Sequence, residues 1–223
     1  MKISQMISSV VIATSIVTVA AIVSPMSAKA VSFTFGNIAG GDTVGDGLNG
    51  FLSMDVTSQG TGVLFNFNYA TNNVFPKSFI SDIHIDVSPT TLLGTPTINN
   101  TNSVVFNQPA NQQNKQLPQG GNGFTTDIYF GNDTGGGNIK AIQPGESLGV
   151  FFSNANFDAV ISAINTNSLR VGYHVQGIGR GSDSYINSSG TPRPVPVPGL
   201  LLGVMAAGAL GGKRLLKNKK QAV

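Results

Sequence analysis

Residues 31–35 read Val-Ser-Phe-Thr-Phe, and residues 65–69 read Phe-Asn-Phe-Asn-Tyr. In both stretches large apolar side chains alternate with small polar ones, which is the two-residue period of a β-strand that buries one face and wets the other. Val31, Phe33 and Phe35 share one face of the first; Phe65, Phe67 and Tyr69 share one face of the second. A helix would scatter these side chains around its circumference. The pattern therefore predicts antiparallel strands with one solvated face.

The same reading extends along the chain. Residues 50–57, 79–87, 98–106, 124–130, 147–153 and 169–178 are further strand candidates, rich in Val, Ile and Phe and bounded by turn residues. Segments 40–50, 107–123 and 131–138 are dominated by Gly, Asn, Gln and Pro and read as loops, because Gly and Asn tolerate positive φ and Pro cannot donate to a sheet ladder. One segment breaks the period. Phe157, Val160, Ile161 and Ile164 fall at i, i+3, i+4 and i+7, with Asn156 placed as N-cap and Asp158 in the first turn, so a short amphipathic helix is expected there. About eight strands, one helix and no βαβ alternation predict an all-β fold, an antiparallel β-sandwich or jelly roll with one short helix.

The charge is segregated. All ten acids lie between Asp42 and Asp183, against Lys77, Lys115, Lys140, Arg170 and Arg180, which leaves residues 31–190 with a net charge of −5 although the whole chain carries +3. No nucleic-acid partner is expected, since phosphate recognition requires a positive surface. The chain has no cysteine, which removes disulfides, thiol catalysis and cysteine-based zinc sites. No cofactor is expected.

Residues 1–30 read as a signal peptide. Lys2 supplies the positive start, residues 6–23 form the apolar region, and Pro25 precedes the small-residue pair Ala28 and Ala30, with cleavage expected after Ala30. Residues 31–190 then form a single domain of ordinary size. Three motifs inside it are weak. Gly145-Glu-Ser-Leu-Gly149, followed by Asp158 and His174, has the order of a hydrolase triad, but a nucleophile elbow needs a strand before its Ser, and here Pro144-Gly145 is a turn and Ser147 opens a strand. Asp82, His84 and Asp86 share one strand face, yet residues four apart on a strand are separated by ~13 Å, so both aspartates cannot reach one ion held by His84; a solvated face is expected. The loop carrying Asp42 and Asp46 departs from the EF-hand spacing, and with Asp133 it offers only irregular calcium ligation. No metal site is expected.

The C-terminus is tripartite. Residues 191–198 are proline-rich and extended. Residues 195–212 hold no charge over 18 positions, and 199–212 is expected as a transmembrane helix of ~21 Å, completed by snorkelling basic side chains. Lys213, Arg214, Lys217, Lys219 and Lys220 follow and set residues 213–223 on the cytoplasmic side. This tail resembles the PEP-CTERM sorting segment of bacterial proteins handled by exosortases. Val195, Pro196, Val197, Pro198 and Gly199 stand at the sorting motif, with Val197 where the family has Glu. The stretch 157–186, including His174-Val-Gln-Gly177 and Gly181-Ser-Asp-Ser184, is similar to the closing helix and strand of one group of such proteins.

The resemblance implies export in a Gram-negative-type bacterium such as a cyanobacterium. It also implies retention in the inner membrane, with the domain on the outer side and transfer to the cell surface or the extracellular matrix. The implied partners are the membrane, an exosortase-type processing enzyme and an extracellular polysaccharide. The expected role is non-enzymatic and structural. One rival is a glycan-binding module using exposed Tyr69, Tyr129, Tyr173 or Tyr185; a second is an exported hydrolase using His84 or His174.

Overall fold

The structure is a computed structural model that describes residues 29–38, 43–110, 115–120, 123–132, 137–187 and 193–194. Ala28, the sorting motif 195–199, the apolar run and the basic cluster 213–220 lie outside the described residues. Among the described residues no helix is long and apolar enough to cross a membrane.

The strands are β1 (Ala30–Asn37), β2 (Leu52–Gln59), β3 (Gly62–Tyr69), β4 (Phe79–Val87), β5 (Pro96–Asn99), β6 (Ile128–Gly131), β7 (Ser147–Ser153), β8 (Leu169–Ile178), β9 (Gly181–Asn187) and the two-residue β10 (Arg193–Pro194); α1 spans Phe157–Asn165. All pairings are antiparallel, and the strands follow the order β5-β7-β3-β2-β1-β9-β8-β4-β6, with β10 on β1. The expectation of a mostly antiparallel β-domain holds. Its layers are halves of one curled sheet rather than two separate sheets, because β1 belongs to both: residues 30–34 pair with β2, and residues 35–37 pair with β9.

The curl follows from the apolar periodicity. Phe33, Phe35, Met54, Val56, Phe65, Phe67, Ile83, Ile85, Val150, Phe152, Val171 and Tyr173 all point to the inside and are at most 3% exposed. Folding the sheet on itself lets both inward faces bury at once, each large side chain contributing about 1.5–3 kcal/mol. The two ends of the strand order therefore meet. Phe130 of β6 packs on Phe152 of β7 with ring centroids 6.4 Å apart. The helix α1 forms where expected, its N-cap Asn156 accepting from the Ala159 amide at 3.0 Å, and Val160, Ala163 and Ile164 face the core.

The two outward faces differ. On β1, β2, β3 and β7 the outside is mostly polar and half-exposed, with Leu64 and Phe151 as an apolar cross-strand pair: Asn66 donates to Asn68 at 2.8 Å, and Asn68 donates to Asp55 at 2.9 Å. The outside of β6-β4-β8-β9 is covered. Leu117 and Phe124 from the long 100–127 connection lie on it with Ile38 and Ile186, forming a second small apolar cluster. Gly172 of β8 supplies the room, since a Cβ there would sit 2.5 Å from Leu117 Cδ2. Arg170 clamps the flank, bonding the Asp86 carboxylate and the Gly123 carbonyl and lying 5.2 Å over the Phe124 ring.

Candidate functional site

Polar and titratable groups converge on the covered face. The register sets Asp82 of β4 opposite His174 of β8, and His84 opposite Tyr129 of β6. Asp82 Oδ2 receives the Ser81 hydroxyl at 2.6 Å and His174 Nδ1 at 3.0 Å, and Oδ1 receives the Tyr129 hydroxyl. Gln176 Nε2 donates to Ser81 Oγ at 3.1 Å. Burial alone would raise the Asp82 carboxyl, but the bonds from His174, Ser81 and Tyr129, helped by the charge of His174, hold it down to about 2. An ionised carboxylate only accepts, so the proton of the shared bond sits on His174 Nδ1. Nε2 is thereby left as an acceptor whenever the ring is neutral.

His84 is buried at 2% exposure, bonds Thr126 Oγ1 through Nδ1 at 3.1 Å and lies 5.1 Å from the Tyr129 ring. Burial is the main force lowering its pKa, to about 4; the Asp82 charge pulls upward, and His174 and Lys115 push down. The expectation of a solvated Asp82-His84-Asp86 face is thus corrected. Residues 115–120 and 123–126 roof it, and each member has its own partner: Asp82 with His174, His84 with Thr126, Asp86 with Arg170. Among the described residues no group of three or more His, Asp or Glu side chains is placed to hold a metal ion.

Ser81, Asp82 and His174 superficially resemble a nucleophile triad. A working triad binds the carboxylate at one imidazole nitrogen and the hydroxyl at the other. Here both sit at Nδ1, and the Ser81 proton points to Asp82. The arrangement orients an imidazole and activates no nucleophile. The residues read from the sequence as a possible triad are dispersed: Ser147 opens β7 on the opposite outward face, Asp158 bonds Lys29 at 2.9 Å, and His174 bonds Asp82.

The oriented His174 opens onto a shallow depression of about 600 Å³, lined by Phe79, His174, Gln176, Gly177, Gly179, Arg180, Gly181 and Ser182. Its rim is the β8–β9 turn. Gly179 takes φ +61°, which favours glycine, and Gly177 takes φ +74° at a bulge where a Cβ would lie 2.7 Å from the Lys77 carbonyl, so Gly177 requires glycine. Arg180 was visible in the sequence only as a charge, and nothing in its spacing marked it as part of a site. Pairing Asp82 with His174 joins residues 92 apart, which only strand register reveals.

The four tyrosines proposed as a glycan platform are all buried: Tyr69 at 1%, Tyr129 at 6%, and Tyr173 and Tyr185 at 0% exposure. Their hydroxyls bond inside the protein, Tyr69 to Ser78 at 2.5 Å, Tyr173 to the Ser53 carbonyl at 2.9 Å and Tyr185 to the Gly45 carbonyl at 2.7 Å. That surface does not exist.

At the chain ends, Ala30 opens β1 opposite Thr57, and the Lys29 carbonyl accepts from the Ser58 amide at 2.9 Å. β10 lies on the other side of β1, with Val31 opposite Pro194 and Ser32 opposite Arg193. Antiparallel pairing sets the start of β1 and the end of β10 at the same end of one strand pair. Set against protein-family models, curated proteins and solved structures, the chain matches none of them.

Proposed function

We propose that this chain is an exported, non-enzymatic surface or matrix protein. In this reading residues 1–30 carry the β-domain across the inner membrane, and the tail 191–223 holds it there as an exosortase-type sorting segment. The domain is read as a jelly-roll-like sandwich closed through β1. The supporting observation is the β1–β10 pairing, which brings the two membrane-directed ends of the chain side by side. Five residue steps lead from Pro194 to Gly199, at most ~17 Å of extended chain. A bilayer segment starting at Gly199 would keep the β1–β10 end of the domain at the membrane surface, with the stretch that follows β10, residues 195–198, presented to a processing enzyme.

Membrane fractionation tests the reading. The full chain should resist alkaline extraction from inner membranes, and protease added on the outer side should cut the glutamine- and asparagine-rich loop 107–123 while sparing the lysine cluster 213–220. Recovery in the soluble cytoplasmic fraction contradicts it.

A further inference from the structure

We propose that the depression at the β8–β9 turn binds a carboxylate-bearing sugar residue of a hexuronate type. Four features point to that chemistry. Arg180 is exposed and, like Lys77, which does not line the depression, has no hydrogen-bond or ion-pair partner among the described residues, whereas Lys29, Lys140 and Arg170 are engaged with Asp158, the Asn102 carbonyl and Asp86, and Lys115 lies over the Tyr129 ring. An unpaired guanidinium suits a carboxylate, and the imidazole in the same depression, its Nδ1 proton given to Asp82, offers Nε2 as an acceptor for a sugar hydroxyl.

His174, which lines the depression, is held through Nδ1 by Asp82 at 3.0 Å, so its ring is already ordered before a ligand binds. Gln176 and Ser182 face each other across β8 and β9 and add amide and hydroxyl groups for sugar hydroxyls. Phe79 stands opposite Gln176 on β4, half-exposed and outside both apolar clusters, so the core does not account for it. A ring in that position offers a platform to the C–H face of a pyranose. The shallow floor admits one residue of an extended chain without enclosing it. A neutral sugar would leave Arg180 unused, and a bare carboxylate would leave Phe79 unused.

This site lies on the domain and does not depend on how the chain is delivered, so the two proposals fail separately. The test is calorimetric titration of the full chain, in a detergent without a sugar headgroup, with a trigalacturonate, a neutral trisaccharide and acetate. The expected result is saturable trigalacturonate binding with Kd below about 1 mM, at least about tenfold weaker binding of the other two, and a loss of about tenfold or more on Arg180→Ala or Phe79→Ala. Both substituted residues are outside the core, so folding is retained and is checked by circular dichroism. No saturable binding, equal binding of the neutral trisaccharide or acetate, or trigalacturonate binding unchanged by Arg180→Ala would each overturn the assignment.

Discussion

The Phe35 and Tyr173 rings lie 3.9 Å apart and 11° from parallel, a stack that spans from β1 across β9 to β8. Tyr173 also meets Phe67 of β3 edge-on at 6.1 Å and donates its hydroxyl to the Ser53 carbonyl at 2.9 Å. One side chain thus ties both halves of the curled sheet together.

Replacing Tyr173 should separate its two contributions. Tyr173→Phe removes a single buried hydrogen bond and should cost about 1 kcal/mol, whereas Tyr173→Ala leaves a cavity at the closure and should cost about 3–5 kcal/mol. Chemical denaturation followed by tyrosine fluorescence or circular dichroism measures both. Equal losses would mean the stack does not close the sheet.

The buried His84 makes stability fall in mild acid. Its pKa is lowered from 6.5 to about 4 in the folded protein, so the unfolded chain binds the proton more readily. Stability from this group is complete above the unfolded value, declines as pH falls below 6.5 and is exhausted near 4, a change of about 3 kcal/mol at most. Asp82, lowered from 3.8 to about 2, adds a second loss in the same direction as pH falls below 3.8. Denaturation midpoints measured between pH 7 and pH 4 should drop for the native chain and stay nearly level for His84→Gln. A flat native profile would place His84 in contact with water.

The roof over that histidine depends on Gly172. A Cβ at this position meets Leu117 Cδ2 at 2.5 Å, the end of a flexible side chain, so Gly172→Ala should displace Leu117 without unfolding the sheet. Hydrogen exchange should then speed up selectively in residues 115–126. Gly94→Ala should behave differently, because its Cβ would lie 1.6 Å from the Ser153 carbonyl, a backbone atom that cannot swing aside. It should destabilise the β5–β7 edge by about 2 kcal/mol or more. Similar exchange patterns in the two variants would contradict this distinction.

Strands whose inward residues are all apolar were legible in the sequence to the residue: β4, β7 and β8 match the expected spans 79–87, 147–153 and 169–178. β9 was not, because its buried positions include Asp183, Ser184 and Asn187, which hide the period behind polar side chains. The span 98–106 overreached. Asn100 bonds both the amide and the carbonyl of Phe106, at 2.9 and 3.0 Å, turning the chain where alternation suggested continuation. The span 124–130 failed for another reason, since Phe124 belongs to the roof and only Ile128–Gly131 joins the sheet. The roof itself was hidden because its apolar anchors, Leu117 and Phe124, stand isolated among Gln, Asn and Gly.

Removing β10 should open one edge of β1. A chain ended after Gly190 should keep its fold, while amide exchange at residues 31–33 rises relative to the rest of β1. Unchanged exchange there would mean that β10 does not hold the two ends together.

The central claim concerns delivery, and the intact mass of the chain recovered from cell envelopes tests it most directly. The account predicts an N-terminus at Val31 together with either a C-terminus near Pro198 or, in the uncut anchored form, an intact Val223 in the membrane fraction. A chain recovered with residues 1–223 complete and outside the membrane fraction would contradict it.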